Sequence, residues 1–136
     1  MCSEGQRGVR LLERCALEKV VGIGGMFFRA ENPEVLREWY ADNLGVVDSP
    51  GGAWLQEEGP TVFAPFSRDT GYFGSQDQQF MVNFRVRDLG ALLSQLREAG
   101  VEVVREEEAQ GVGRFAWIVD PEGNRVELWE PEPGDT

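Results

Sequence analysis

The residue best placed to do chemistry is a glutamate inside an alternating apolar run. In Arg125-Val126-Glu127-Leu128-Trp129-Glu130, an extended strand puts Val126 and Leu128 on one face and Arg125, Glu127 and Trp129 on the other. A carboxylate held among Trp129, Phe63 and Met81 suits two kinds of chemistry. Desolvation would raise its pKa and make it a general base. Its charge and the neighbouring rings would equally suit a cationic or planar ligand. The same alternation in residues 80–86 turns Val82, Phe84 and Val86 toward a helix and leaves Met81, Asn83 and Arg85 with Glu127. In the opening run, Ile23, Gly25, Phe27 and Arg29 follow the same logic, and Phe63 joins them from residues 61–66. Tyr72 and Phe73 lie in a polar loop over 67–79, where they would cover a ligand or pack beneath the loop. The candidate ligand face is therefore Glu127, Trp129, Asn83, Met81, Phe63, Phe27, Arg85 and Tyr72. The same residues also read as a filled core, with Glu127 paired to Arg29 or Arg85.

Some chemistry is excluded by composition. The 136 residues contain no histidine, the commonest ligand of catalytic metals and the commonest general base near neutral pH. Cys2 and Cys15 match no zinc spacing; a pair of free thiols in a reducing compartment is the favoured reading, although the two could pair. With 24 acidic and 13 basic residues the net charge is −11, which disfavours nucleic acid as a partner, because phosphate contacts need a basic surface. An acidic field can attract a cationic ligand or serve solubility alone. No run approaches the ~20 apolar residues of a membrane span, and the N-terminus lacks the pattern of a signal peptide. The sequence is read as cytoplasmic, with no membrane partner.

The elements that must position these residues come twice. Phe28-Arg29-Ala30-Glu31-Asn32 recurs as Phe84-Arg85-Val86-Arg87-Asp88. Each run follows an apolar segment and precedes an amphipathic helix, with Val35, Leu36, Trp39, Tyr40 and Leu44 on one face of the first and Leu89, Leu92, Leu93, Leu96 and Ala99 on one face of the second. Asn32 and Asp88 stand at N-cap positions, Pro33 follows Asn32, and Gly45 and Gly100 stand where the chain leaves each helix. Ala53-Trp54-Leu55 and Ala116-Trp117-Ile118 then each enter a turn, of which Asp120-Pro121-Glu122-Gly123-Asn124 is the better formed. Residues 61–66 and 125–130 close the two units as strands. The order strand, helix, strand, strand, strand, given twice, predicts an α+β domain: two tandem βαβββ modules forming a curved mixed sheet around a central cavity. Module one covers about residues 19–66 and module two about residues 80–131 of a domain over 19–131. Residues 1–18 read as an extension, partly helical or disordered, and 132–136 as a disordered tail.

The duplicated order and the closing run from Asp120 to Pro131 resemble the vicinal oxygen chelate superfamily, which includes glyoxalase I, extradiol dioxygenases, fosfomycin-resistance transferases and bleomycin-resistance proteins. Ile23-Gly24-Gly25-Met26-Phe27-Phe28, Trp39-Tyr40 and Leu44-Gly45 fit the same pattern. The resemblance implies a glyoxalase-like fold, a divalent metal in the enzymes, and a homodimer. Of the implied metal ligands, the glutamate is kept as Glu127. Gly25 stands where the opening strand carries histidine, Met81 replaces the ligand of the second unit's first strand, and Phe63 is the counterpart of Glu127 in the first unit. One hard donor in four positions does not make a catalytic site, which needs about three protein ligands. The resemblance therefore implies a bleomycin-resistance-like protein that binds a small molecule in the shared cavity, with no metal or other cofactor expected. Two alternatives stay open. One is a metal-dependent lyase, isomerase or dioxygenase acting on a small oxygenated substrate, with Glu127 as ligand or base. The other is a regulatory or partner-binding module with a filled cavity.

Overall fold

Asn32 and Asp88 begin two helices as predicted. The computed structural model describes residues 18–47 and 53–133. In it Asn32 Oδ1 accepts from the Val35 amide at 3.3 Å and Asp88 Oδ1 from the Ala91 amide at 3.0 Å, each satisfying a first-turn donor that has no partner within its helix. Helix α1 spans Pro33–Leu44 and ends on Gly45, at φ 68°. That left-handed turn lets the Gly45 and Val46 amides reach the carbonyls of Ala41 and Tyr40. The other elements are β1 (Val82–Arg85), α2 (Leu89–Glu98), β2 (Val103–Ala109), β3 (Gly113–Val119) and β4 (Arg125–Pro131).

The strands form one mixed sheet in the order β1-β4-β3-β2, with β1 parallel to β4 and the other pairs antiparallel. Ala116, Ile118, Val126 and Leu128 turn to one face and meet Leu36 and Tyr40 of α1 and Leu89, Leu93 and Leu96 of α2. Their burial is the main favourable term holding the layers together. Val35, predicted on the buried face of α1, is exposed, so the apolar stripe is narrower than predicted. None of the described helices is long and apolar enough to cross a membrane.

The second unit is thus a complete strand–helix–three-strand module, and the α+β class is as predicted. The first unit differs. Its helix packs on the shared core, but the strands predicted in the apolar segment before Phe28, at Ala53-Trp54-Leu55 and over 61–66 are not formed: residues 18–32 and 53–67 carry neither helix nor strand. A strand gains its stability from ladder partners and a buried face, so β propensity without a neighbouring strand is not enough. Glu132, placed in the predicted tail, is tied back to the domain: its amide donates to the Val112 carbonyl. Residues 1–17 of the extension predicted over 1–18, with both cysteines, lie outside the described residues, as do 48–52 and 134–136.

Candidate functional site

The sheet face away from the helices carries the chemistry, and the ladder registers place each residue. Glu127 is paired with Asn83 on one side and Trp117 on the other. Trp129, two residues along the same face, is paired with Phe115 and Arg85. Glu127 is 7% exposed, and both its oxygens are engaged: Oε1 accepts from Asn83 Nδ2 at 2.6 Å and Oε2 from the Tyr72 hydroxyl at 2.5 Å. A buried carboxylate needs such donors, because leaving one oxygen unpaired costs its desolvation.

Tyr72 comes from the loop that joins the two units. Its amide donates to Thr70 Oγ1, and its carbonyl accepts from Arg125 Nη1. The Gln78 side chain fixes the far end of the loop. It accepts from the Arg125 amide at 2.8 Å and donates to the Arg125 carbonyl at 2.9 Å, as a neighbouring strand would. Phe66 stacks on the Tyr72 ring at 5.3 Å and touches Phe73. Burial first, then the hydrogen bond to Glu127 and its charge, hold the Tyr72 phenol above the usual tyrosine value, so it stays a neutral donor.

Around Glu127 lies a set of aromatic rings. Phe115 is nearly parallel to both Trp117 and Trp129, with interplanar angles of 17° and 5° and centroids 6.2 Å apart in each pair. Tyr72 meets Trp117 edge-on at 5.7 Å. Arg105 lies over the Trp117 ring, 4.6 Å from its centroid, and pairs with Glu107 at 2.8 Å. A bulge puts Arg105 there. Val103 pairs with Ile118 and Arg105 with Trp117, so the extra residue Val104 moves Arg105 off the helix-facing side. Trp129 Nε1 donates to the Val112 carbonyl at 3.0 Å, whereas Trp117 Nε1 is buried without a hydrogen-bond partner among the described residues.

Of the predicted residues, the structure brings Glu127, Asn83, Tyr72 and Trp129 together. Arg85 is directed elsewhere: its guanidinium donates to the Glu57 carbonyl at 3.2 Å, and the Glu127 oxygens are taken by Asn83 and Tyr72 instead. Phe27 and Phe63 are 91% and 86% exposed; without first-unit strands, their alternation has no sheet face to fill. Met81 is half-buried just before β1. Phe115, Trp117 and Arg105 were not predicted. Alternation within Gly113–Val119 carries the signal for the first two, but that strand is apolar on both faces, which hides which side meets the helices. A cavity of about 330 Å³ lies apart from Glu127, lined by loop residues including Phe66, Arg68, Phe73 and Phe80.

The metal of the resembling enzymes does not fit this donor set. Both Glu127 oxygens are taken by neutral donors, and among the described residues no group of three or more histidines, cysteines or carboxylates is placed to share an ion.

Comparison with known proteins agrees with this architecture. Among solved structures, an antibiotic binding protein from Streptomyces sp. CB03234, TnmS3, matches 85% of this chain and 100% of its own at 21% identity, with a TM-score of 0.56. A lactoylglutathione lyase from Agrobacterium tumefaciens matches 83% of this chain and 96% of its own at 15% identity, with a TM-score of 0.53. At these identities the likeness is one of fold. A glyoxalase family protein from Enterococcus faecalis is matched over only 40% of its length and 37% of this chain, at 24% identity and a TM-score of 0.34. No curated protein matches. The glyoxalase-like domain profile matches residues 25–129, most of the chain. The chain therefore belongs to the glyoxalase-like domain family.

Proposed function

We propose that the chain binds a small planar molecule on the Glu127 face and performs no metal chemistry there. One observation supports this reading: a buried indole N–H, on Trp117, lies without an acceptor among the described residues, on the residue paired directly with the buried Glu127. A buried donor left unmade costs about 1–3 kcal/mol, and a bound acceptor would recover that cost. Half-buried Phe115, lying nearly parallel to the buried Trp117 and Trp129, supplies apolar surface beside these polar groups, and such a mixture is the usual make-up of a small-molecule site. The Streptomyces neighbour is described as antibiotic binding. Carried to this chain as part of the proposal, that description favours sequestration over turnover.

Elemental analysis and native mass spectrometry of the purified chain test both halves. The expected result is no stoichiometric divalent metal, together with a retained or titratable small-molecule adduct. About one zinc, iron, manganese or nickel per chain, surviving dialysis, overturns the metal-free reading.

A further inference from the structure

We propose that Tyr72 holds the place of the ligand, and that the site takes a hydroxylated aromatic ring whose hydroxyl replaces the Tyr72 hydroxyl on Glu127. This rests on the binding reading above and names the ligand class for the same site.

An ionised carboxylate only accepts hydrogen bonds, so whatever displaces Tyr72 must bring a donor. Asn83 supplies one donor from β1, in regular structure. The other comes from Tyr72, in a segment with neither helix nor strand. A segment held by side-chain bonds and ring contacts opens at lower cost than a ladder strand, so Tyr72 is the donor that can be exchanged. Its ring meets Trp117 edge-on and stacks on Phe66, which is itself half-exposed. The space it fills is therefore shaped for a flat ring bearing a hydroxyl.

Tyr72 is also an imperfect occupant. With its phenol in place, the Trp117 indole N–H still has no acceptor among the described residues. A ring with an oxygen acceptor near its hydroxyl would satisfy both groups at once. A ring with acceptors alone would leave one Glu127 oxygen buried and unpaired, and would be rejected.

Titration of the intact chain with 1-naphthol and with 1-methoxynaphthalene, followed by tryptophan fluorescence, tests the assignment. The probes share a ring system, but only the first can donate. 1-Naphthol is expected to bind about tenfold or more tighter than the ether, as befits one hydrogen bond to a charged group. Tyr72→Phe removes the competing hydroxyl and should tighten 1-naphthol severalfold. Phe66→Ala removes the ring stacked on Tyr72, leaves Glu127 untouched, and should shift affinity in the same direction. Glu127→Gln should abolish the preference for the phenol. Equal affinity for both probes, unchanged in Tyr72→Phe and Phe66→Ala, overturns the phenol assignment and leaves the binding reading standing. Absence of binding by either probe to Tyr72→Phe that is folded by circular dichroism overturns both.

Discussion

Trp129 reaches the Val112 carbonyl across residue 113, which has no side chain. A Cβ on Gly113 would lie 2.2 Å from the Glu130 carbonyl oxygen and 2.9 Å from the Trp129 indole nitrogen, and its φ is +135°. Alanine there must both adopt a strained backbone and displace neighbouring atoms. Gly113→Ala should therefore cost about 3 kcal/mol, from strain and overpacking together. Gly111 is the control: its φ is +80°, but the space beside it is open. Gly111→Ala should cost about 1 kcal/mol, the backbone penalty alone. Urea denaturation of both variants measures the difference, and equal losses would show that packing at Gly113 is not what matters. By leaving room for the Trp129 indole to reach the Val112 carbonyl, Gly113 helps to place one of the rings on the Glu127 face.

At the scale of elements, the turn between β3 and β4 joins the first unit to the second. Buried Asp120 accepts from the Tyr40 hydroxyl at 2.7 Å, from the amides of Glu122 and Asn124, and from the Asn124 side chain. Glu122 in turn accepts from the Glu31 and Asn32 amides at 2.7 and 2.9 Å, just before α1. Glu122→Ala should remove hydrogen-exchange protection from amides 31 and 32 while leaving β3 and β4 protected; protection lost throughout would mean a global rather than local effect. Burial, then the bond to Asp120 and its charge, push the Tyr40 phenol well above the usual tyrosine value. The folded state therefore holds this proton more tightly than the unfolded one. The resulting stability is complete below about pH 10, the unfolded value, and is lost as pH rises further. Tyr40→Phe should lower stability at pH 7 by about 1–3 kcal/mol, since it leaves a carboxylate oxygen short of a donor, and should flatten the alkaline decline. A decline as steep as wild type would exclude Tyr40 as its source. The turn itself was legible in Asp120-Pro121-Glu122-Gly123-Asn124, as were the caps at Asn32 and Asp88, because each rests on local backbone chemistry. Alternation also placed Glu127, Asn83 and Trp129 on one face. The Tyr40–Asp120 bond was not legible, since it spans 80 positions. Arg105 was not legible either, because a single bulged residue reverses the alternation that would have placed it.

At the scale of the whole molecule, apolar exposure and net charge oppose each other. Leu55, Phe27 and Phe63 are 96%, 91% and 86% exposed, and Val20, Val21 and Val62 are exposed with them. These side chains come from the segments that the repeat predicts as strands. Apolar surface of this kind gains free energy when covered, and the homodimer implied by the family resemblance would cover it. The charge of −11 per chain works against such an association, because two like-charged chains repel through solvent. The Debye length falls from about 30 Å at 0.01 M salt to about 10 Å at 0.1 M. A dimer closed by these residues should therefore tighten as salt is raised across that range, the opposite of an association held by ion pairs. Sedimentation equilibrium at the two salt concentrations should return twice the chain mass, with the smaller dissociation constant at higher salt. Phe63→Glu and Phe27→Glu add charge where apolar cover is needed and should shift the population to monomer. A single-chain mass at both concentrations would contradict the dimer, and weaker association at higher salt would assign it to charged rather than apolar contacts.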